Sequence, residues 1–180
     1  MKATGIVRRI DDLGRVVIPK EIRRTMRIRE GDPLEIYTDK EGAVIFRKYS
    51  LMGGVAEFAG QLCETLWRTS GRVCVITDRD SCIAVSGVPR REVLEKPVSQ
   101  GLEQLMESRS VYQHQAGEEW VKLCSGQEGY LVLTAAPILS GGDVLGCVLL
   151  TAGEEDQSAG EVEYKLVQTV AGFLGRHMED

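Results

Sequence analysis

Residues 8–29, RRIDDLGRVVIPKEIRRTMRIR, carry eight basic side chains (Arg8, Arg9, Arg15, Lys20, Arg23, Arg24, Arg27 and Arg29) against three acidic ones (Asp11, Asp12 and Glu21). The segment reads as structured rather than as a basic tail. Thr4–Ile10 is β-prone and runs into Asp11-Asp12-Leu13-Gly14, where Gly14 can take positive φ and close a turn. Val16–Ile18 is β-prone again. Pro19 suits the first position of a short helix over Pro19–Met26, because its missing N–H has no partner to lose there. After Gly31-Asp32-Pro33, the runs Leu34–Thr38 and Ala43–Lys48 frame Asp39-Lys40-Glu41-Gly42 as a hairpin with a bulged loop.

About fifty residues of this kind bury too little surface to fold well alone, and strands this short leave exposed edges. Pairing two copies answers both problems, so the head, residues 1–50, is expected to be an obligate dimer. The longest candidate helix, Lys20–Met26, has about two turns, which points to a β-and-loop reader of nucleic acid rather than a helix-turn-helix.

The charge distribution separates head from body. Residues 1–50 hold 12 Lys+Arg and 8 Asp+Glu, for +4; residues 51–180 hold the remaining 10 and 19, for −9. A basic head on an acidic body selects a polyanion for the head alone, and fixed guanidinium forks suit phosphate and base contact. No apolar run approaches the ~18 residues of a membrane span, and MKATGIVRR has no signal-peptide core. The expectation is a cytoplasmic, DNA-associated protein with no membrane partner. The five cysteines (Cys63, Cys74, Cys82, Cys124 and Cys147) form no C-x-x-C and read as small buried apolar residues.

The pattern G-x-x-R-x-I-D-x-L-G-R-V-V-I-P-K-E-I-R from Gly5 to Arg23, followed by G-D-x-L-E-I from Gly31 to Ile36, resembles the N-terminal DNA-binding domain of the AbrB family of transition-state regulators. The resemblance implies a swapped-hairpin β-barrel in which two chains interleave their strands. It implies sequence-tolerant binding of double-stranded DNA through Arg8, Arg15, Arg23 and Arg24; Lys2, Arg9 and Lys20 join them on charge and position alone. It extends to sporulation regulators, activating or repressing by promoter, that pair this head with a ligand-sensing domain of the GAF type. Antitoxins share the head fold, but their tails are short, and this one is long and patterned.

In the body, residues 51–180, Ser50 is placed to cap a helix over about 51–69, with Leu51, Val55, Phe58, Leu62 and Leu66 forming one stripe and Gly53-Gly54 weakening its start. Arg72–Thr77 and Cys82–Ser86 form a hairpin about Asp78–Ser81. A helix follows over Val98–Arg109. Gly129–Leu139 and Val144–Thr151 form a second hairpin about Ser140–Asp143. A last helix spans about 158–178, with Ser158 and Glu161 at capping-box spacing and Val162, Leu166, Val170, Phe173 and His177 in one stripe. This order, with P-I-x-x-x-G-x-x-L-G at Pro137–Gly146, resembles a GAF domain, a relative of PAS domains. The fold class is therefore α+β: a swapped-hairpin β-barrel, then an antiparallel sheet flanked by helices. By the same analogy the flanking helices join two dimers into a tetramer.

The body shows no catalytic constellation. His114, in the polar loop Tyr112–Gln115, and His177, on the terminal helix, have no Cys, Asp or Glu at ligand spacing, so no metal and no resident cofactor are expected. A small-molecule ligand would lie under Val88–Gly129; Arg90-Arg91 reads first as a solvated turn and second as a site for an anionic ligand. Two other readings compete with a DNA-binding regulator: an antitoxin-type autoregulator that needs a toxin partner, and a cysteine redox enzyme of the GAF type, as in free methionine sulfoxide reductases, which needs an exposed low-pKa thiolate.

Overall fold

The computed structural model describes residues 4–126 and 128–179. The chain divides into two compact units, Met1–Tyr49 and Ser50–Asp180.

The head holds α1 (Lys20–Thr25) and an antiparallel hairpin of β1 (Leu34–Thr38) and β2 (Val44–Lys48), with Ile36 opposite Phe46 and Thr38 opposite Val44. Asp39 builds the hairpin turn, its Oδ1 accepting from the backbone N–H groups of Glu41 and Ala43, and Gly42 closes it at φ 84°. The β-prone runs Thr4–Ile10 and Val16–Ile18 form no strand in the single chain. A strand exists through its ladder, and among the described residues the β1–β2 hairpin pairs only with itself.

Pro19 is the one buried residue among the described residues of the head. Val7, Ile10, Leu13, Val17, Ile36 and Val44 are each more than half exposed. An apolar surface this dense within so few residues exceeds the singly scattered apolar side chains of an ordinary monomer surface.

The body is a five-stranded antiparallel sheet in the order β4 (Cys82–Ser86), β3 (Cys74–Asp78), β7 (Asp143–Thr151), β6 (Val132–Ser140), β5 (Tyr112–Gln113). Successive side chains of a strand point to opposite faces, and here both faces are buried. Val148 and Leu150 of β7 join Ala59, Cys63, Leu66, Val167 and Leu174 in one core. Cys147 and Leu149 join Val93, Leu102, Met106 and Leu123 in the other. The first core lies under α2 (Ala56–Ser70) and α5 (Glu161–His177), which meet where the Phe58 and Phe173 rings lie 5.9 Å apart. The second lies under α3 (Arg90–Val93), α4 (Gln100–Glu107) and the segment around Leu123.

Two strand details follow from hydrogen-bonding needs. Cys147 faces Pro137 across the β6–β7 ladder but turns its N–H to Thr77 Oγ1 at 3.3 Å. The pair is thus a non-hydrogen-bonded one, and the missing proline donor points to the side of β5, which begins only at Tyr112, opposite Ala135. Gly146 lets β7 approach β3: a Cβ there would stand 1.9 Å from the Thr77 carbonyl oxygen.

Both flanking helices start later than their sequence signals. Leu51–Val55 is a 3₁₀ turn ahead of α2, and the Ser50 hydroxyl donates to Asp78 Oδ2 at 3.1 Å instead of capping. The N-cap of α5 is Gly160, with no side-chain cap, not Ser158. The Ala159 N–H donates to the His114 carbonyl (3.1 Å), and Gln113 Nε2 donates to the Ala159 carbonyl (3.0 Å), so the edge of the sheet fixes this helix start. Arg72 adds a second tie, reaching Glu163 through Nε at 3.0 Å and Asp156 through both terminal nitrogens.

Candidate nucleic-acid interface

Arg15 owes its position to Asp11. Asp11 Oδ1 accepts from the N–H groups of Leu13 (3.0 Å) and Arg15 (2.8 Å), while its Oδ2 accepts from Arg15 Nε at 2.8 Å. The Asp11 N–H returns a bond to the Arg15 carbonyl at 3.1 Å, and Gly14 sits at φ 76°. The Arg15 amide, then its guanidinium, holds the Asp11 carboxyl below the ordinary carboxylate range. Reading charge alone overlooks Asp11. Its signal was present as an Asp four residues before Arg15 with a glycine between, the spacing of a side-chain-closed turn.

A second group stands on α1. Pro19 opens the helix, Lys20 is its first residue, and Arg23 and Arg24 fall in its last turn, where cations suit the helix dipole. The chain leaves the helix through Met26 and then Arg27, a non-glycine residue at φ 51°. Lys48 Nζ holds that end, donating to the Arg27 carbonyl at 2.8 Å and pairing with the nearly buried Asp32 at 3.3 Å. The same Asp32 accepts from the Arg29 N–H at 2.8 Å. Lys48 and Asp32 thereby tie the arginine-bearing helix to the hairpin.

Arg8, Arg9, Arg15, Lys20, Arg23 and Arg24 are all exposed. Apart from Arg15, none forms an ion pair with an acid among the described residues. Lys2 lies outside the described residues. Arg27 and Arg29 are half-buried, which sets them apart from the exposed six.

In the body, Arg90 and Arg91 line a surface groove of about 440 Å³ with Leu94, Glu95 and Lys96. His114 does not lie in an exposed loop; it is buried at 1 % exposure, Nδ1 3.0 Å from the Tyr112 hydroxyl and its ring stacked on Trp120. His177 packs between Phe58 and Phe173. No group of three or more His, Cys, Asp or Glu among the described residues is placed to hold a metal ion. No helix among them is long and apolar enough to cross a membrane. All five cysteines are buried.

A basic β-and-loop head followed by a GAF-type body is the arrangement of an AbrB-like transcription regulator with a GAF-like domain. Residues 54–179 match the family described as stage V sporulation protein T C-terminal, transcription factor. Residues 7–51 match the antidote–toxin recognition MazE, bacterial antitoxin family. Stage V sporulation protein T of Bacillus subtilis (strain 168) is 50% identical over 180 residues, spanning 99% of each chain. Transition state regulatory protein AbrB of the same organism is 63% identical over 49 residues, 27% of this chain and 50% of that protein. Among solved structures, the GAF domain of a phosphoenolpyruvate-protein phosphotransferase from Coxiella burnetii superposes with TM-score 0.54 at 17% identity, over 68% of this chain and 80% of that one. Type II free methionine-R-sulfoxide reductase from Thermoplasma acidophilum does so with TM-score 0.54 at 8% identity, over 71% and 94%; likeness at these identities is of fold alone. The chain belongs to the stage V sporulation protein T family, and is a sporulation transcription regulator.

Proposed function

We propose that the head binds double-stranded DNA with tolerance of sequence, through Arg8, Arg15, Arg23 and Arg24 of two intertwined chains, with Arg9, Lys20 and Lys2 adding charge. The observation that carries this reading is the set of six exposed basic side chains on a unit whose apolar residues are exposed in the single chain. Covering that apolar face with a second copy sets two arginine groups on one rigid body, and phosphate contacts made from a rigid body give register at little entropic cost. Residues 1–50 are then the DNA-binding and dimerisation domain. Residues 51–180, through α2 and α5, join dimers into a tetramer, and this body senses a small molecule. The protein works in the cytoplasm, activates or represses by promoter, and is not an enzyme.

The antitoxin reading draws on the MazE match of the head. A body with two buried cores is unlike a tail that waits for a partner to fold it. A turnover enzyme needs an exposed thiolate, and the burial of all five cysteines argues against that reading.

The salt dependence of binding tests the proposal. With four phosphate contacts per chain in a dimer, log K against log salt falls with a slope of roughly −7. Arg15→Ala or Arg23→Ala flattens it by about two units, since each change occurs twice. An unchanged slope removes the residue from the interface.

A further inference from the structure

Four of the five cysteines sit in two sulfur–sulfur contacts. Cys63 and Cys74 approach to 3.6 Å between α2 and β3, and Cys82 and Cys124 to 3.8 Å on the other face of the sheet. Both distances are non-bonded contacts, well beyond the ~2.05 Å of a disulfide. The surroundings of the two pairs differ.

Cys63 and Cys74 are fully buried in the core beneath the helices, and the Cys63 contact followed by burial keeps the Cys74 thiol well above its ordinary range. Cys82 lies under the short segment that follows α3: its N–H donates to the Lys96 carbonyl (3.0 Å) and its carbonyl accepts from the Glu95 N–H (2.8 Å). Glu95 is a non-glycine residue at φ 62°, and this segment also lines the basic groove of Arg90, Arg91 and Lys96. The edge of β4 at Cys82 is thus flanked by a four-residue helix and a strained turn, an element that opens locally at far lower cost than the sheet beside it. Cys124 is held in place by a bridge to Val98 and by the Ser125 N–H bond to the Pro97 carbonyl. The Cys82 thiol lowers the Cys124 pKa by hydrogen bonding, and Lys96 adds to this against the opposing effect of burial. Cys82 is correspondingly pushed up, first by the same contact.

We infer that Cys82 and Cys124 form a site of reversible oxidation by hydrogen peroxide, with Cys124 as the attacking sulfur, Cys82 as the resolving one and Lys96 as the neighbouring cation. The Cys124 thiolate attacks the peroxide, an S–O bond forms as the O–O bond breaks, and the departing hydroxide takes a proton to become water. The Cys82 sulfur then displaces hydroxide from the Cys124 sulfenic acid, forming the S–S bond and a second water. Two thiols are oxidised to one disulfide and one hydrogen peroxide is reduced to two waters. The link joins β4 to the segment just before β6, tying down the whole excursion that contains α3 and α4. No catalytic cycle is required: the protein itself is the reductant, once per chain.

The test uses the full chain, reduced and native, with hydrogen peroxide as the probe. The reaction is quenched, denatured, alkylated and mapped by mass spectrometry over time. The expected first product has lost two hydrogens and contains a Cys82–Cys124 cross-link, formed at least about tenfold faster than Cys63, Cys74 or Cys147 is consumed, and dithiothreitol reverses it. In C124S, Cys82 stays reduced; in C82S, Cys124 advances to sulfinic acid without a cross-link. A Cys63–Cys74 link appearing first overturns the inference, as does intact alkylation of Cys82 and Cys124 after the other thiols have reacted. The time course on the unaltered chain decides this even if a serine variant fails to fold.

Discussion

His114 and Trp120 stack with ring centroids 3.4 Å apart and planes 15° from parallel, while the Tyr112 hydroxyl lies 3.0 Å from His114 Nδ1. The histidine backbone is meanwhile bonded to β6 through Leu133 and to the start of α5 through Ala159. One residue therefore joins the sheet edge, the Trp120 segment and the terminal helix. His114→Ala removes a fully buried ring, with an expected cost of about 2–4 kcal/mol to the body. Denaturant unfolding should show that loss together with a red shift of tryptophan emission, and His114→Phe, which retains a stacking ring, should recover part of it. Equal stability of the alanine variant would sink this role.

Two glycines three residues apart on α5 predict opposite outcomes. A Cβ at Gly175 would lie 2.2 Å from the Leu139 carbonyl oxygen, whereas one at Gly172 meets nothing within 4 Å. Gly175→Ala must push the helix off β6, at a cost of about 3 kcal/mol or more. Gly172→Ala gains helix propensity and should raise stability by about 0.5–1 kcal/mol. Thermal unfolding of the pair, side by side, checks the helix-to-sheet contact.

The Arg72 cluster carries an acid-side signature. The Arg72 guanidinium holds the Asp156 carboxyl below its ordinary range. Its folded-state pKa is thus below the unfolded value of about 3.9. The resulting stabilisation is present above that value and disappears as pH falls through the folded-state pKa. Both side chains are partly exposed, so the contribution is about 1 kcal/mol or less. Asp156→Asn should lower the melting temperature at neutral pH, and the gap from the unaltered chain should close in strong acid. A gap that persists unchanged at low pH would rule out this ion pair as its source.

The proposed pairing of heads makes its own prediction. Ile36 is 61% exposed and sits opposite Phe46. In a lone head, Ile36→Asp would be nearly neutral; in a paired one it buries a charge and disrupts assembly. The variant should lose DNA binding by at least about tenfold while the thermal transition of the body stays put. Retained DNA affinity would argue that this face is not the one covered.

What could be read from the sequence divides along a physical line. The β6–β7 hairpin was legible because Ser140-Gly141-Gly142-Asp143 supplies positive φ at Gly141 (56°) and Gly142 (88°) between two apolar runs. These are local signals. The long arginine-bearing pattern was likewise enough to suggest the head's family. His114 was misplaced because the ring that buries it arrives from Trp120, along a stretch with no helical or strand period. The Ser158 capping signal failed for a related reason: the backbone at Ala159 is already held by the sheet edge, so the helix starts beyond it. The runs Thr4–Ile10 and Val16–Ile18 have the composition of strands, but no ladder partner among the described residues of their own chain. Sequence pattern reports what a segment favours; only the fold says what it meets.

The surface apolarity of the head has a quantitative corollary. A binding unit that is complete only as a pair has an active concentration that grows with the square of chain concentration while pairs are scarce. Regulation by such a protein has a threshold in its own abundance, and small changes in synthesis or degradation near that threshold produce disproportionate changes in promoter occupancy. On the proposed pairing, the exposed valines and isoleucines around the arginine loop make the head a dosage meter as well as a docking surface.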